Sequence, residues 1–388
     1  MFHAAHGYER TAAPEVKEPG STRTAGAATA ATAASSGLRS APQTARRTTA
    51  RDAYFDNAKY LAIVLVAVAH AWEPVMEGSR ATRALYMVIY TFHMPAFIVI
   101  SGYFSRSYQG KPHQLRRLLT GIALPYVVFE VAYSLFARYG NDDPEQPVSL
   151  LDPYYLTWFL AALFIWRLTT PLWRIIRWPI STALVIGALA TVTPDIGADL
   201  NLARVLQFLP FFVIGLSMKP EHFQMLRRRE VRLLTVPVLA MALVTAYWVA
   251  PRMDLGWFYR SSSVQELGRP WWSGLLVIIA FFGCALLLSA AFLALVPGRR
   301  AWFTVLGTGT ICGYLLHGFV IKAADFWGLF DSNQWLGSPA GLVVVTVCAT
   351  GMVTLLCSPP VRRGLKPVTE PDMKWAFRQD SAEPGTSR

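Results

Sequence analysis

Long apolar runs dominate the chain from Tyr60 onward, each bounded by a short polar or charged connection. Ten such runs are present, at residues 60–75, 84–105, 118–137, 154–172, 178–193, 205–218, 233–250, 271–296, 302–321 and 339–358. Runs this long and this apolar on every face read as membrane helices, so the pattern predicts an all-α polytopic bundle of about ten spans. Several are short: the first has only thirteen uninterrupted uncharged residues, 60–72. Short spans of this kind are expected inside the bundle, lining a wet cavity. No internal repeat is visible, which weighs against an inverted-repeat transporter.

Charge fixes the expected orientation. With the N-terminus inside, 28 of the 36 Lys and Arg residues fall on inside segments and eight on outside segments or the adjoining helix ends. That alternation is the positive-inside pattern, and it predicts both termini on the cytoplasmic side of the cell membrane. It also accounts for the net charge of +12, which on a soluble chain would suggest nucleic acid. The N-terminal segment is different in kind. Between Val16 and Tyr54 its only large apolar residue is Leu38, and 21 of the 30 residues 21–50 are Ala, Thr or Ser. Such a stretch cannot bury enough apolar surface to order itself, and it lacks the apolar core of a secretory signal. The expected organisation is a disordered cytoplasmic tail over 1–52, a membrane domain over 53–360 and a polar cytoplasmic tail over 361–388.

Composition agrees: apolar residues make up 53% and charged residues 15%, far from a soluble enzyme or a disulfide scaffold. The four cysteines (Cys284, Cys312, Cys348, Cys357) lie in apolar runs without Cys/His ligand spacing, so no metal site is expected.

Against this apolar background the ionisable residues stand out. Lys59 and His70 are eleven residues apart, three turns plus about 20°, and therefore share a helix face about 16 Å apart. Asp56 lies one turn before Lys59, within pairing reach, and Glu73 lies one turn beyond His70, where it can hold the imidazole. An ionisable group in a span is a functional candidate, and His can act as a base near neutral pH. An interfacial His with a snorkelling Lys would have the same spacing. His93 precedes Pro95, which must kink the second span, and Ser101-Gly102 permits close helix approach; a satisfied His beside a packing kink is the plainer reading. Arg106, Lys111, Arg116 and Arg117 form a basic rim suited to a polyphosphate, although orientation alone would also put bases there. Glu130 has no evident partner, Trp158 opens the fourth run in an aromatic belt, and His317 is a third intramembrane His of seven in the chain.

In this order the motifs resemble the integral-membrane acyltransferase-3 family, in its branch similar to fucose 4-O-acetylases. The matching residues are Asp56, Lys59 and His70; Phe92-His93-Met94-Pro95 through Ser101-Gly102-Tyr103-Phe104; Trp158-Phe159-Leu160; Leu209-Pro210-Phe211-Phe212 with Gly215; and Tyr314 with His317. Lys59 stands where the family often has Arg. The resemblance implies transfer of an acyl group, usually acetyl, from cytoplasmic acyl-CoA to a hydroxyl of a sugar, glycan, glycolipid or glycosylated metabolite, with no bound cofactor. It implies His70 as general base, Lys59 holding a donor phosphate or pairing with Asp56, and Arg106, Arg116 and Arg117 on the CoA phosphates. His93, Ser101, Tyr103, Trp158, His317 and Glu73 are the expected acceptor or oxyanion residues. A multi-span transporter of a small molecule or lipid-linked glycan is the competing expectation.

Overall fold

The computed structural model describes residues 52–196 and 199–377; the Ala/Thr/Ser-rich tail lies outside the described residues, except for its last residue. The long elements are α1 (Ala53–Trp72), α2 (Arg80–Ser105), α3 (Pro112–Gly140), α4 (Trp158–Leu168), α5 (Pro179–Val192), α6 (Leu202–Ser217), α7 (Arg229–Val249), α8 (Trp271–Leu295), α9 (Thr310–Phe326), α10 (Pro339–Leu356) and α11 (Pro359–Thr369). No strand occurs among the described residues. Seven helices are long and apolar enough to cross a membrane: α1, α2, α3, α6, α7, α8 and α10. The turn Trp302–Thr308 and α9 make an eighth when taken as one span bent by 82°. The predicted run at 154–172 forms α4, of 11 residues, followed after Thr169 by the short helix Thr170–Ile175, and the run at 178–193 forms α5, of 14. Taken singly, α4 and α5 are shorter than the ~20 residues that a ~30 Å hydrocarbon core asks of one helix. The protein is thus a multi-pass all-helical bundle.

Local chemistry sets several boundaries. Asp52 caps α1 by accepting the Tyr54 N–H at 2.9 Å, and Pro74 ends the helix in a short 3₁₀ turn, Glu73–Val75. Ser79 caps α2 by accepting the Thr82 N–H at 3.2 Å. Pro125 carries no N–H, and the turn before it in α3 relaxes to a π-helix, Leu119–Ala123, in which the Leu124 N–H reaches the Leu119 carbonyl.

The main core lies among α1, α2, α3, α4, α6 and α9, around Ile63, Ile98, Phe159, Trp166, Phe212 and Leu315. Helix α7 lies at the edge, with most of its apolar side chains turned outward, as a lipid-facing helix requires. The α2–α6 crossing is the tightest. A Cβ added to Gly102 would sit 2.2 Å from the Phe212 carbonyl oxygen, and one on Gly215 would sit 2.2 Å from that of Val99. Backbone meets backbone there, so neither helix can yield by moving a side chain. Gly102→Ala is expected to cost about 1–3 kcal/mol. Thermal unfolding in detergent checks this, and a melting temperature equal to wild type would refute it.

Candidate active site

Helix α1 carries a charged group at each end. At its start Lys59 Nζ lies 2.8 Å from Asp56 Oδ1, and Asn57 donates to the carbonyls of Pro297 and Arg299 at 2.8 and 2.9 Å, tying this end to the α8–α9 connection. In its last turn His70 presents Nδ1 to Glu73 Oε2 at 3.5 Å, close enough for electrostatic attraction but long for a hydrogen bond. The expected proximity of both pairs is therefore observed, and the two pairs occupy opposite ends of one helix.

His70 and Glu73 line a cavity of about 250 Å³. Helix α2 contributes Tyr90, His93 and Met94, α4 contributes Trp158, α6 contributes Arg204 and Phe208, and α9 contributes Tyr314. The loops add Tyr155, Leu156 and Tyr259. The ring of His70 lies 5.0 Å from Tyr155, 5.7 Å from His317 and 6.1 Å from Tyr90, centroid to centroid. Tyr259 donates its hydroxyl to Glu73 Oε1 at 3.4 Å and shares a 3.2 Å contact with the Tyr86 hydroxyl. Arg204 donates Nε–H to the Tyr259 carbonyl at 3.0 Å and lies over the Trp158 ring at 5.3 Å. A larger groove of about 520 Å³ between α2, α7 and α8 is lined by apolar side chains and Thr91, Thr245 and Cys284.

The protonation pattern follows from the partners. Nδ1 of His93 lies 2.9 Å from the Ile89 carbonyl and Nδ1 of His317 lies 2.9 Å from that of Gly313. A carbonyl only accepts, so each Nδ1 carries the proton and each Nε2 keeps its lone pair. Nε2 of His317 is buried without a hydrogen-bond partner. Nδ1 of His70, which faces Glu73, is buried without a hydrogen-bond partner.

Glu130, without a partner in the sequence reading, is fully buried and satisfied by the α3–α4 connection. It accepts the Tyr154 N–H at 2.9 Å, the Ser134 hydroxyl at 3.1 Å and the Thr157 hydroxyl. This capture holds residues 154–157 as a turn and delays α4 to Trp158. Tyr155 sits in that turn at φ 54°, a left-handed conformation that aims its ring at His70. The Tyr314 hydroxyl donates to the Leu156 carbonyl and ties the same turn to α9.

Of the residues expected from sequence, His70, Glu73, His93 and Trp158 meet at the cavity, with His317 packed against His70. Ser101 and Tyr103 do not join them. The Tyr103 ring stacks on Phe55 at 5.1 Å and carries the Arg106 guanidinium at 4.0 Å, at the Lys59 end. Ser101, two turns of α2 beyond His93, offers its carbonyl to Ser105. Arg106 and Arg117 are exposed, whereas Arg116 lies over Phe377, 4.9 Å away, beneath the C-terminal segment. Sequence reasoning missed Tyr90, Arg204 and Tyr259 altogether.

The acyltransferase domain of the acyltransferase-3 family matches residues 52–357, well over half of the chain. The protein belongs to the acyltransferase-3 family. No curated protein and no solved structure matches it. As an acyltransferase-3 member it is a membrane acyltransferase, and the match takes in both ends of α1, the cavity and the basic rim.

Proposed function

We propose that this acyltransferase is an O-acyltransferase of the cell membrane, acetyl being the group its resemblance favours. Its donor is acyl-CoA, its acceptor is a hydroxyl of a sugar, glycan, glycolipid or glycosylated metabolite, and His70 is the general base. The observation that carries this reading is the His70–Glu73 pair opening on a polar cavity inside a domain whose family performs acyl transfer.

The acceptor hydroxyl enters the cavity and gives its proton to His70 Nε2 as its oxygen attacks the thioester carbonyl. Glu73 faces the Nδ1–H and stabilises the imidazolium that forms. Negative charge grows on the carbonyl oxygen, and Arg204 and the phenol group of Tyr90 supply donors for it. Collapse expels the CoA thiolate, which takes the proton from His70. Transfer is direct, and the base is restored.

The donor phosphates bind at the other end of α1, where Lys59, Arg106 and Arg117 lie. The pantetheine arm then spans the ~16 Å of helix rise between Lys59 and His70. Ile63 and Val66 of α1 and Ile98 of α2 are buried in the core along this interval, so donor loading requires these side chains to part. The topology that goes with this reading has ten membrane segments and both termini cytoplasmic, in keeping with the alternation of Lys and Arg along the chain.

The test is thiol release from acetyl-CoA by purified protein, with and without a glycan or glycolipid extract. Release that depends on the extract and on His70 supports the reading; no release and no CoA binding would end it. Arg106→Ala combined with Arg117→Ala is expected to raise the acyl-CoA KM more than it lowers kcat. An unchanged KM would remove both from the donor site.

A further inference from the structure

A second charged group is buried outside the cavity. Arg260 follows the short helix Gly256–Tyr259 and is 5% exposed. Its guanidinium lies 5.0 Å from the Phe208 ring and 5.5 Å from the Phe211 ring. Among the described residues no carboxylate pairs with it and no oxygen accepts from its side chain. The two nearest acids in sequence are engaged elsewhere: Asp254 accepts the Gly256 N–H at 2.7 Å, and Glu266 accepts the Ser263 N–H at 2.6 Å and the Asp195 N–H at 3.3 Å. Burial pushes the Arg260 pKa down to about 10, so the group remains a cation at neutral pH. A buried cation without an anion is costly, and such groups are normally paired.

The side chain is also held in place. Arg260 adopts φ 53°, and the loop after it docks on the end of α5 through Val264 N–H to the Thr191 carbonyl, 2.9 Å, and Gln265 Nε2 to the Val192 carbonyl, 2.6 Å. Arg260 lines a pocket of about 360 Å³ between α5, α6 and α8. The rest of the wall is almost wholly apolar, including Val185 and Ala188 of α5 and Ile278 and Ile279 of α8. Val185 and Ile279 are 58% and 66% exposed, which on a membrane helix means facing lipid. A cation with no protein anion at one end of a lipid-facing apolar trough matches a molecule with an anionic head and a hydrocarbon tail.

We propose that the pocket between α5, α6 and α8 binds a phosphate-bearing lipid, its phosphate on Arg260 and its chain along Val185, Ala188 and Ile279. The site is separate from the reacting groups, but Phe208 is common to both: it lines the His70 cavity and carries the Arg260 guanidinium on its ring. Lipid occupancy therefore bears on the wall of the cavity. The proposal does not depend on the role given to His70.

The experiment measures thermal stability and native mass spectra of the full-length protein in neutral detergent. The probes are dioleoylphosphatidylglycerol, farnesyl phosphate, dioleoylphosphatidylcholine and inorganic phosphate. The two anionic lipids distinguish a bilayer phospholipid from a polyisoprenyl phosphate carrier, and preference for either supports the site. Wild type is expected to bind at least one anionic lipid in preference to phosphatidylcholine and to melt at a higher temperature with it. Arg260→Gln should weaken that binding about tenfold or more, the loss of one charge-assisted contact. Arg260→Lys, which keeps the charge, should retain most of it, and Ala188→Trp, which fills the trough and leaves Arg260 intact, should lose it. Equal binding by Arg260→Gln and wild type would overturn the proposal. So would no preference for either anionic lipid in wild type, or stabilisation by inorganic phosphate equal to that by lipid.

Discussion

His70→Ala is expected to lower acyl transfer by about 10²–10⁴-fold, the range a positioned general base contributes. The loss should appear in kcat with the acyl-CoA KM nearly unchanged, because the proposed donor-phosphate site lies a helix length away. Protein yield and melting temperature should stay close to wild type, since the ring lines a cavity and its Nδ1 makes no hydrogen bond to the described residues. Glu73→Gln should give a smaller loss: it keeps an acceptor facing Nδ1 but removes the charge that stabilises the imidazolium. Initial rates of thiol release with saturating acceptor measure both. Normal turnover by His70→Ala would dismiss it as the base and turn attention to His93, which lines the same cavity with a free Nε2 lone pair.

Glu130→Leu should destabilise the fold by about 1–3 kcal/mol for each buried donor left without an acceptor. The change strands the Tyr154 N–H and the Ser134 hydroxyl in the interior, while the Thr157 hydroxyl keeps the Tyr154 carbonyl as acceptor at 2.8 Å. It also frees the turn that brings Tyr155 within 5.0 Å of His70, so activity should fall even where the protein remains folded. Glu130→Gln, which retains a carbonyl acceptor, should be milder in both respects. Thermal unfolding in detergent beside the thiol-release rate separates the two effects. A Glu130→Leu protein that melts and turns over like wild type would show that the network does not hold the turn.

What could be read in advance was local. Asp56 with Lys59 and His70 with Glu73 are each three residues apart on one helix, and helical geometry alone brings such residues onto neighbouring positions. Glu130 was unreadable because its partners Tyr154 and Thr157 lie 24 and 27 residues on, across a loop. Ser101 was assigned with His93 because both belong to one motif. Eight residues of helix turn it by about 80° and carry it about 12 Å away, which takes it out of the cavity. Within the run at 154–172 the helix starts only at Trp158, because a buried carboxylate has captured the residues before it, which hydropathy does not register.

Sequence alone determined the helical membrane architecture and the chemistry available along α1, because apolar run length and helical periodicity act within a single segment. It also carried the family's motifs in their order. The tertiary structure decided which side chains meet. Tyr90, Tyr155, Arg204 and Tyr259 converge on His70 from α2, α6 and two loops, through the glycine-mediated crossing of α2 with α6 and the turn held by Glu130. It likewise left Arg260 on two aromatic rings without an anion. Such meetings depend on the packing of segments far apart in the chain, and no periodicity within one segment encodes them.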